Sequence, residues 1–386
     1  MKHLTLLAAL LLPAFASAQN IAIGNVTVTE GDAGTVNMDF PITVNPVSAA
    51  AITLSYVTAA GSATSGTDFT AVTAGSISIP SNAASAIARV LVASDVTVET
   101  LETLTATISA ASSGTIVTNQ ALGQITDNDA AVLTIASISQ AEGNAFLTPM
   151  PFVARLSNPV QGQVRITVAS VNGSATAGSD YAVLAPTVLT FPSLSQQQSV
   201  PVGIIGDTQL ENDETFSLTL NALETPVGIS AITLIPGAIV GTILNDDSVA
   251  LSLNDVRAEE GTTIPVQFNF TATLSSASAI PVSVNFNTID GSALSPSDYT
   301  ARSGTLTFAP GELSKTTAVS IINDSVTEPD ESFQFALNGA SVGAILPARA
   351  AIGTIENDDF VAVPGLGNLA MLALIGLMIV FVGRRD

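Results

Sequence analysis

The chain has no cysteine and no tryptophan, and its single histidine is His3. Without cysteine it can form neither disulfides nor thiolate metal sites. Without histidine past position three, the body of the chain cannot hold a Ser-His-Asp triad, a Cys-His dyad or a typical zinc site. Positive charge is scarce as well: 10 Lys and Arg stand against 32 Asp and Glu, a formal net charge of −22. Phosphate binding needs a basic face, so nucleic acid is excluded as an expected partner. Aromatic residues reach only 5%, which argues against a carbohydrate-stacking platform. The charged fraction of 11% does not mean disorder here, because a hydrophobic content of 47% supports real cores.

What is abundant is acid in register. Asp127-Asn128-Asp129, Asn245-Asp246-Asp247 and Asn357-Asp358-Asp359 close three blocks, their last residues 118 and then 112 positions apart. Glu30, Glu142 and Glu260 each precede a glycine, and Asp68, Asp180 and Asp298 each precede Phe or Tyr, at 112 and 118. A repeat of this length sets the architecture before any local reading. Each block is long enough for one domain, giving expected domains at 19–129, 130–247 and 248–359. Registered carboxylates suggest a hard cation.

The ends read as addresses. Lys2 and His3 precede the apolar run Leu4 to Phe15, and Ala16-Ser17-Ala18 supplies small residues for cleavage. That layout predicts a signal peptide over 1–18. Residues 360–386 contain the apolar stretch Leu366 to Val382 followed by Arg384-Arg385, which predicts a short C-terminal transmembrane helix with its basic end in the cytoplasm. Val363-Pro364, that stretch and the Arg pair resemble the PEP-CTERM and IPTL-CTERM sorting signals of Gram-negative bacteria. The resemblance implies a membrane sorting protease as partner, with a plain membrane anchor as the alternative. Val363-Pro364-Gly365-Leu366-Gly367 departs from the core motif of both signals.

Between the ends the pattern is strand. Val36, Met38, Phe40, Ile42 and Val44 alternate with mostly polar residues, as do Val164, Ile166 and Val168, and Val282, Val284 and Phe286. Phe216, Leu218 and Leu220 match Phe333, Phe335 and Leu337. Period-two spacing turns such side chains to one sheet face. Gly, Pro, Asn, Asp and Ser supply the turns between runs. The expected fold class is all-β, three tandem two-sheet sandwiches of roughly seven strands each, joined almost without linker as a semi-rigid rod. Tyr56, Tyr181 and Tyr299 are expected to pack or cap turns.

The second block runs Glu142-Gly143, Asp180-Tyr181, Phe191, Asp207, Glu211, Asp213-Glu214 with Phe216, then the acidic triplet. The third runs Glu260-Gly261, Asp298-Tyr299, Phe308, Asp324, Glu328, Asp330-Glu331 with Phe333, then its triplet. This order resembles the Calx-β domain, known from the regulatory calcium-binding repeats of sodium–calcium exchangers, over about residues 21–359. The resemblance implies immunoglobulin-like antiparallel sandwiches whose carboxylates meet at one end to bind Ca²⁺. The ligands it implies are Glu30, Asp68, Asp95, Glu99, Asp127 and Asp129 in block one. In block two they are Glu142, Asp180, Asp207, Glu211, Asp213, Asp246 and Asp247. In block three they are Glu260, Asp298, Asp324, Glu328, Asp330, Asp358 and Asp359. Departures stand at Ser94, Gly206 and Asn323, where strong calcium binders of the family carry another Asp, and at Asn128, Asn245, Asn357 and Leu101. One or two weaker ions per domain are expected, foremost in blocks two and three.

Three functional readings follow. The first is a non-enzymatic calcium-binding surface protein, held at the membrane or cell surface and meeting a surface or matrix partner. The second is a metal-free spacer or partner-binding module, in which the acids only form turns. The third is a carboxylate hydrolase, since two acids can suffice for that chemistry; threefold repetition of the acids argues against a single active cleft.

Overall fold

The computed structural model describes residues 18–235, 237–261 and 264–359. The expected signal peptide, apart from residue 18, and the expected membrane segment lie outside the described residues. Among the described residues no helix is long and apolar enough to cross a membrane, and all regular structure is strand.

Each block folds as a four-stranded sheet and a five-stranded sheet with the same strand order. In the first block the smaller sheet runs Ser85–Ser94, Gly34–Asn45, Asn20–Ile23, Thr115–Thr118. The larger runs Val26–Thr29, Gln120–Thr126, Glu102–Ser109, Ile52–Ala60, Gly75–Ile79. The strand count is thus nine where about seven were expected. The excess has a simple source: the opening strand breaks at Gly24 and the closing strand at Asn119, so each contributes to both sheets. Strands that change sheets make the corners of a sandwich. A second departure is that the sheets are not wholly antiparallel. Opening and closing strands pair in parallel, Val26 with Gly123 through Thr29 with Thr126, and Val256 with Gly353 through Glu259 with Glu356.

The expected alternation becomes the core. Met38, Phe40, Ile42 and Val44 are buried, as are Val164, Ile166 and Val168, Val282, Val284 and Phe286, Phe216 and Leu218, and Phe333 and Phe335. Val36, Leu220 and Leu337 are half-buried. Tyr181 and Tyr299 are buried and stacked on Phe216 and Phe333, with centroids 4.3 and 4.2 Å apart. Their hydroxyls donate to Asn172 and Asp290 at 2.6 Å, so both pack as expected. Tyr56 caps Arg89 O at 2.9 Å.

Gly123, Gly241 and Gly353 stand in register, each beneath a core ring. A Cβ there would lie 2.7 Å from Phe40, 2.6 Å from Phe216 and 2.7 Å from Phe333. Rings packed in a core cannot retreat from such a contact without shifting their neighbours. We therefore expect Gly353→Ala to cost about 1–3 kcal/mol, read as a lower urea midpoint at unchanged slope.

The chain divides into two compact units. One comprises the described part of Met1–Ser139 with Pro149–Gly203 and Thr215–Thr242; the other comprises Gln140–Thr148, Ile204–Glu214 and the described part of Ile243–Asp386. The first therefore contains block one and the body of block two. The second contains block three with the loops of block two that carry Glu142, Asp207 and Glu211.

Candidate metal centre

The acidic loops are turns with local causes. The Asp before each aromatic accepts the amide four residues earlier: Thr64 to Asp68 at 2.5 Å, Thr176 to Asp180 at 2.6 Å, Leu294 to Asp298 at 2.7 Å. Asp95, Asp207 and Asp324 each accept the amide two residues on, at 2.6, 2.7 and 2.7 Å. Side-chain capping of this kind is the ordinary chemistry of Asp in turns. The first residue of each terminal triplet ties the segments together. Asn245 Oδ1 accepts the amide of Glu211, and Asn357 Oδ1 that of Glu328, both at 3.0 Å; Asp127 accepts that of Glu99. Asn245 and Asn357 also donate to the carbonyls of Asp247 and Asp359. These two substitutions in the acidic run thus hold the loop in shape.

The turns assemble carboxylates into compact groups. In the first unit Glu30, Asp127 and Asp129 form one group, and Asp68, Glu99 and Glu102 another, each with carboxylate oxygens within 4.8 Å of one another. In the second unit Glu142, Asp246 and Asp247 form the counterpart of the first group, as do Glu260, Asp358 and Asp359. Asp298, Glu328 and Glu331 line a small cavity beside Glu260, with Glu331 hydrogen-bonded to Asp298. In the middle block Asp180 belongs to the first unit and Glu211 and Glu214 to the second.

Burial and mutual repulsion make these acids reluctant to ionise. Glu30 and Glu99 are pushed up to about 8, by burial first and then by neighbouring carboxylates. Glu102, Glu142, Glu260 and Glu331 rise to about 7, again with burial the largest cause. Asp127, Asp129 and Asp247 shift upward for the same leading reason. Packing does not supply what these groups require. Glu102 Oε2, Asp129 Oδ2, Asp247 Oδ2, Asp358 Oδ1 and Asp359 Oδ2 are buried without a hydrogen-bond partner. A buried oxygen left in that state costs free energy, and a cation would remove the cost. The donors are oxygens alone, anionic and clustered, which suits Ca²⁺ rather than a softer metal. The residues therefore fit the ion that the sequence suggests.

Some expected ligands have other work in the fold. Asp330 pairs with Arg257 at 3.1 Å, and Asp213 accepts the amide of Asn245 at 3.0 Å. Beside them stand Glu102 and Glu331, the last acids of their loops, which the ligand set implied by the resemblance omits. Their signal was phase. Glu102 alternates with buried Leu104, Ala106 and Ile108, and Glu331 with buried Phe333 and Phe335. Each glutamate thus opens a strand on its core-facing side. Glu214 holds the same phase with Phe216 and Leu218.

Comparison with known proteins agrees with this architecture. The Calx-beta domain matches residues 24–137, 134–247 and 245–359. Extracellular matrix protein 3 of Lytechinus variegatus is 34% identical over 208 residues, which is 51% of this chain and 6% of that protein. Adhesion G-protein coupled receptor V1 of Danio rerio is 24% identical over 245 residues, 62% of this chain and 4% of the receptor. Sodium/calcium exchanger 1 of Canis lupus familiaris is 43% identical over 63 residues, 16% of this chain and 6% of the exchanger. The chain spans only a small fraction of these relatives, so the likeness is one of modules. With three successive matches across almost all of its described length, the chain belongs to the Calx-beta domain family.

Proposed function

We propose that the chain is a non-enzymatic, calcium-binding array of Calx-beta domains that works outside the cell in adhesion, matrix or cell-contact roles. The observation that carries this reading is the set of buried carboxylate oxygens without partners, placed in carboxylate groups that recur from block to block. The matrix, adhesion-receptor and exchanger names of its relatives support the same class of role. Ca²⁺ would be held by Glu30, Asp127 and Asp129, by Asp68, Glu99 and Glu102, and by their counterparts, and would supply charge neutralisation and rigidity. Export by residues 1–18, domains at 19–129, 130–247 and 248–359, and attachment or sorting through 360–386 at a Gram-negative surface belong to this proposal.

Asp246→Asn with Asp247→Asn tests it. The double variant keeps the shape of both side chains and removes the charge of one group. We expect calorimetric titration to register about one calcium fewer per chain, with a loss of about 1–2 kcal/mol of calcium-dependent stability. Unchanged stoichiometry and stability would remove the site assignment. The second reading, a metal-free spacer, draws on the turn hydrogen bonds of Asp95, Asp207 and Asp324. It expects no calcium heat from the wild-type chain at all.

A further inference from the structure

One carboxylate group is not built by its own block alone. Glu102 is 3% exposed, and its Oε2 is buried without a partner. Facing its other oxygen is Gln161, a residue of block two, whose side-chain amide donates to Glu102 Oε1 at 3.3 Å and to Glu99 Oε1 at 3.4 Å. The backbone fixes this approach. Gln161 N donates to Val98 O and Val98 N to Pro159 O, both at 2.9 Å, forming a short parallel bridge between Val98 and Val160. Both valines are buried. Glu99 therefore follows directly on a residue clamped to block two. Beside the bridge, a cavity of about 460 Å³ is lined by Glu99 and Asp127 of block one and by Gly228 and Ile229 of block two.

We propose that the Asp68–Glu99–Glu102 group is a cation site shared between the two blocks, with Gln161 supplying its side-chain carbonyl oxygen as a ligand. The inference rests on the calcium reading above and specifies how this one site is completed. A carboxamide suits the place because it has two faces. Its NH₂ satisfies the acids when no ion is present, and rotation about the last side-chain torsion presents its oxygen when one is. A neutral oxygen also adds a ligand without adding a fourth charge to a crowded group, and Ca²⁺ accepts such amide oxygens readily. The next junction lacks the device. There Ala279 stands in Gln161's register and donates its amide to Leu210 O at 3.0 Å, but its side chain has no ligand atom. Ion binding at the first junction and docking of block two onto block one are then coupled, each strengthening the other by the same factor.

The test is calorimetric calcium titration of the full chain, starting from chelated protein. Asp68→Asn marks the site, since its side-chain oxygen can still cap Thr64 while the charge is lost. We expect that variant to lose one component of the isotherm. Gln161→Ala should keep the component and weaken it by about tenfold, within the usual range for such coupling. Gln161→Glu should bind at least as tightly as wild type, because an oxygen ligand remains, yet melt lower in chelator, because the donor is gone. Calcium should also slow hydrogen exchange at the Gln161 amide in wild type and not in Asp68→Asn. The inference is overturned if Gln161→Ala binds with wild-type affinity, or if Gln161→Glu weakens the component as much as Gln161→Ala does. A wild-type chain that takes up no calcium would overturn it together with the function on which it rests.

Discussion

Millimolar calcium should raise the melting temperature of this protein by roughly 5–20 °C over its value in EDTA. The size follows from mass action. Extracellular modules bind calcium at about 10⁻⁴–10⁻³ M, so 5 mM calcium contributes about 1–2 kcal/mol for each ion bound only to the fold. With one or two ions per block, and about 4–5 °C per kcal/mol for blocks a little over 100 residues long, the shifts reach that range. Magnesium should do less. It demands near-octahedral geometry and keeps its water, whereas these acids are held by turns, strand ends and an inter-block bridge. Scanning calorimetry with EDTA, Mg²⁺ and Ca²⁺ in parallel checks the prediction. Melting temperatures within a degree or two of one another would leave the sandwiches intact and reduce the acids to turn formers.

The second large effect is on pH, and its sign depends on the metal. In EDTA the protein should be more stable at pH 5 than at pH 8, by several degrees of melting temperature. Glu30 and Glu99 titrate near 8 in the fold, and Glu102, Glu142, Glu260 and Glu331 near 7, against an ordinary value of 4.5. Between these limits the fold binds more protons than the unfolded chain. Stability from this source is complete below about 4.5 and is lost as the pH rises through 7 to 8. Asp39 and Asp255 act oppositely, held low by Arg89 and Arg349, with Asp255 near 2. Their contribution is present above an ordinary 3.8 and fades below it, so the metal-free optimum falls at mildly acid pH. Saturating calcium should reverse the slope, because the ion competes with protons for the same oxygens. A chelated protein whose stability rises from pH 5 to pH 8 would contradict the burial of these acids.

The sequence by itself determined the fold class, the number of blocks and the neighbourhood of the acids. Alternation such as Val164, Ile166 and Val168 leaves a sheet one way to bury its apolar face, and repetition at 112 and 118 residues makes three copies of that solution. Asp68, Asp180 and Asp298 were legible for the same reason, because an Asp beside a core aromatic has a fixed place at a turn. Tertiary structure decided which oxygens meet. Asp330 and Glu331 are neighbours in sequence, but strand phase sends Glu331 inward toward Asp298 while Arg257 takes Asp330. It also decided that opening and closing strands change sheets and pair in parallel, since a pairing between residues about a hundred positions apart leaves no local trace. Gln161 is the clearest case. Nothing beside it in the chain marks it out; it faces Glu99 and Glu102 only because block two docks against Val98. Local chemistry fixes a residue's face and turn, whereas contacts across long separations exist only once the chain has folded.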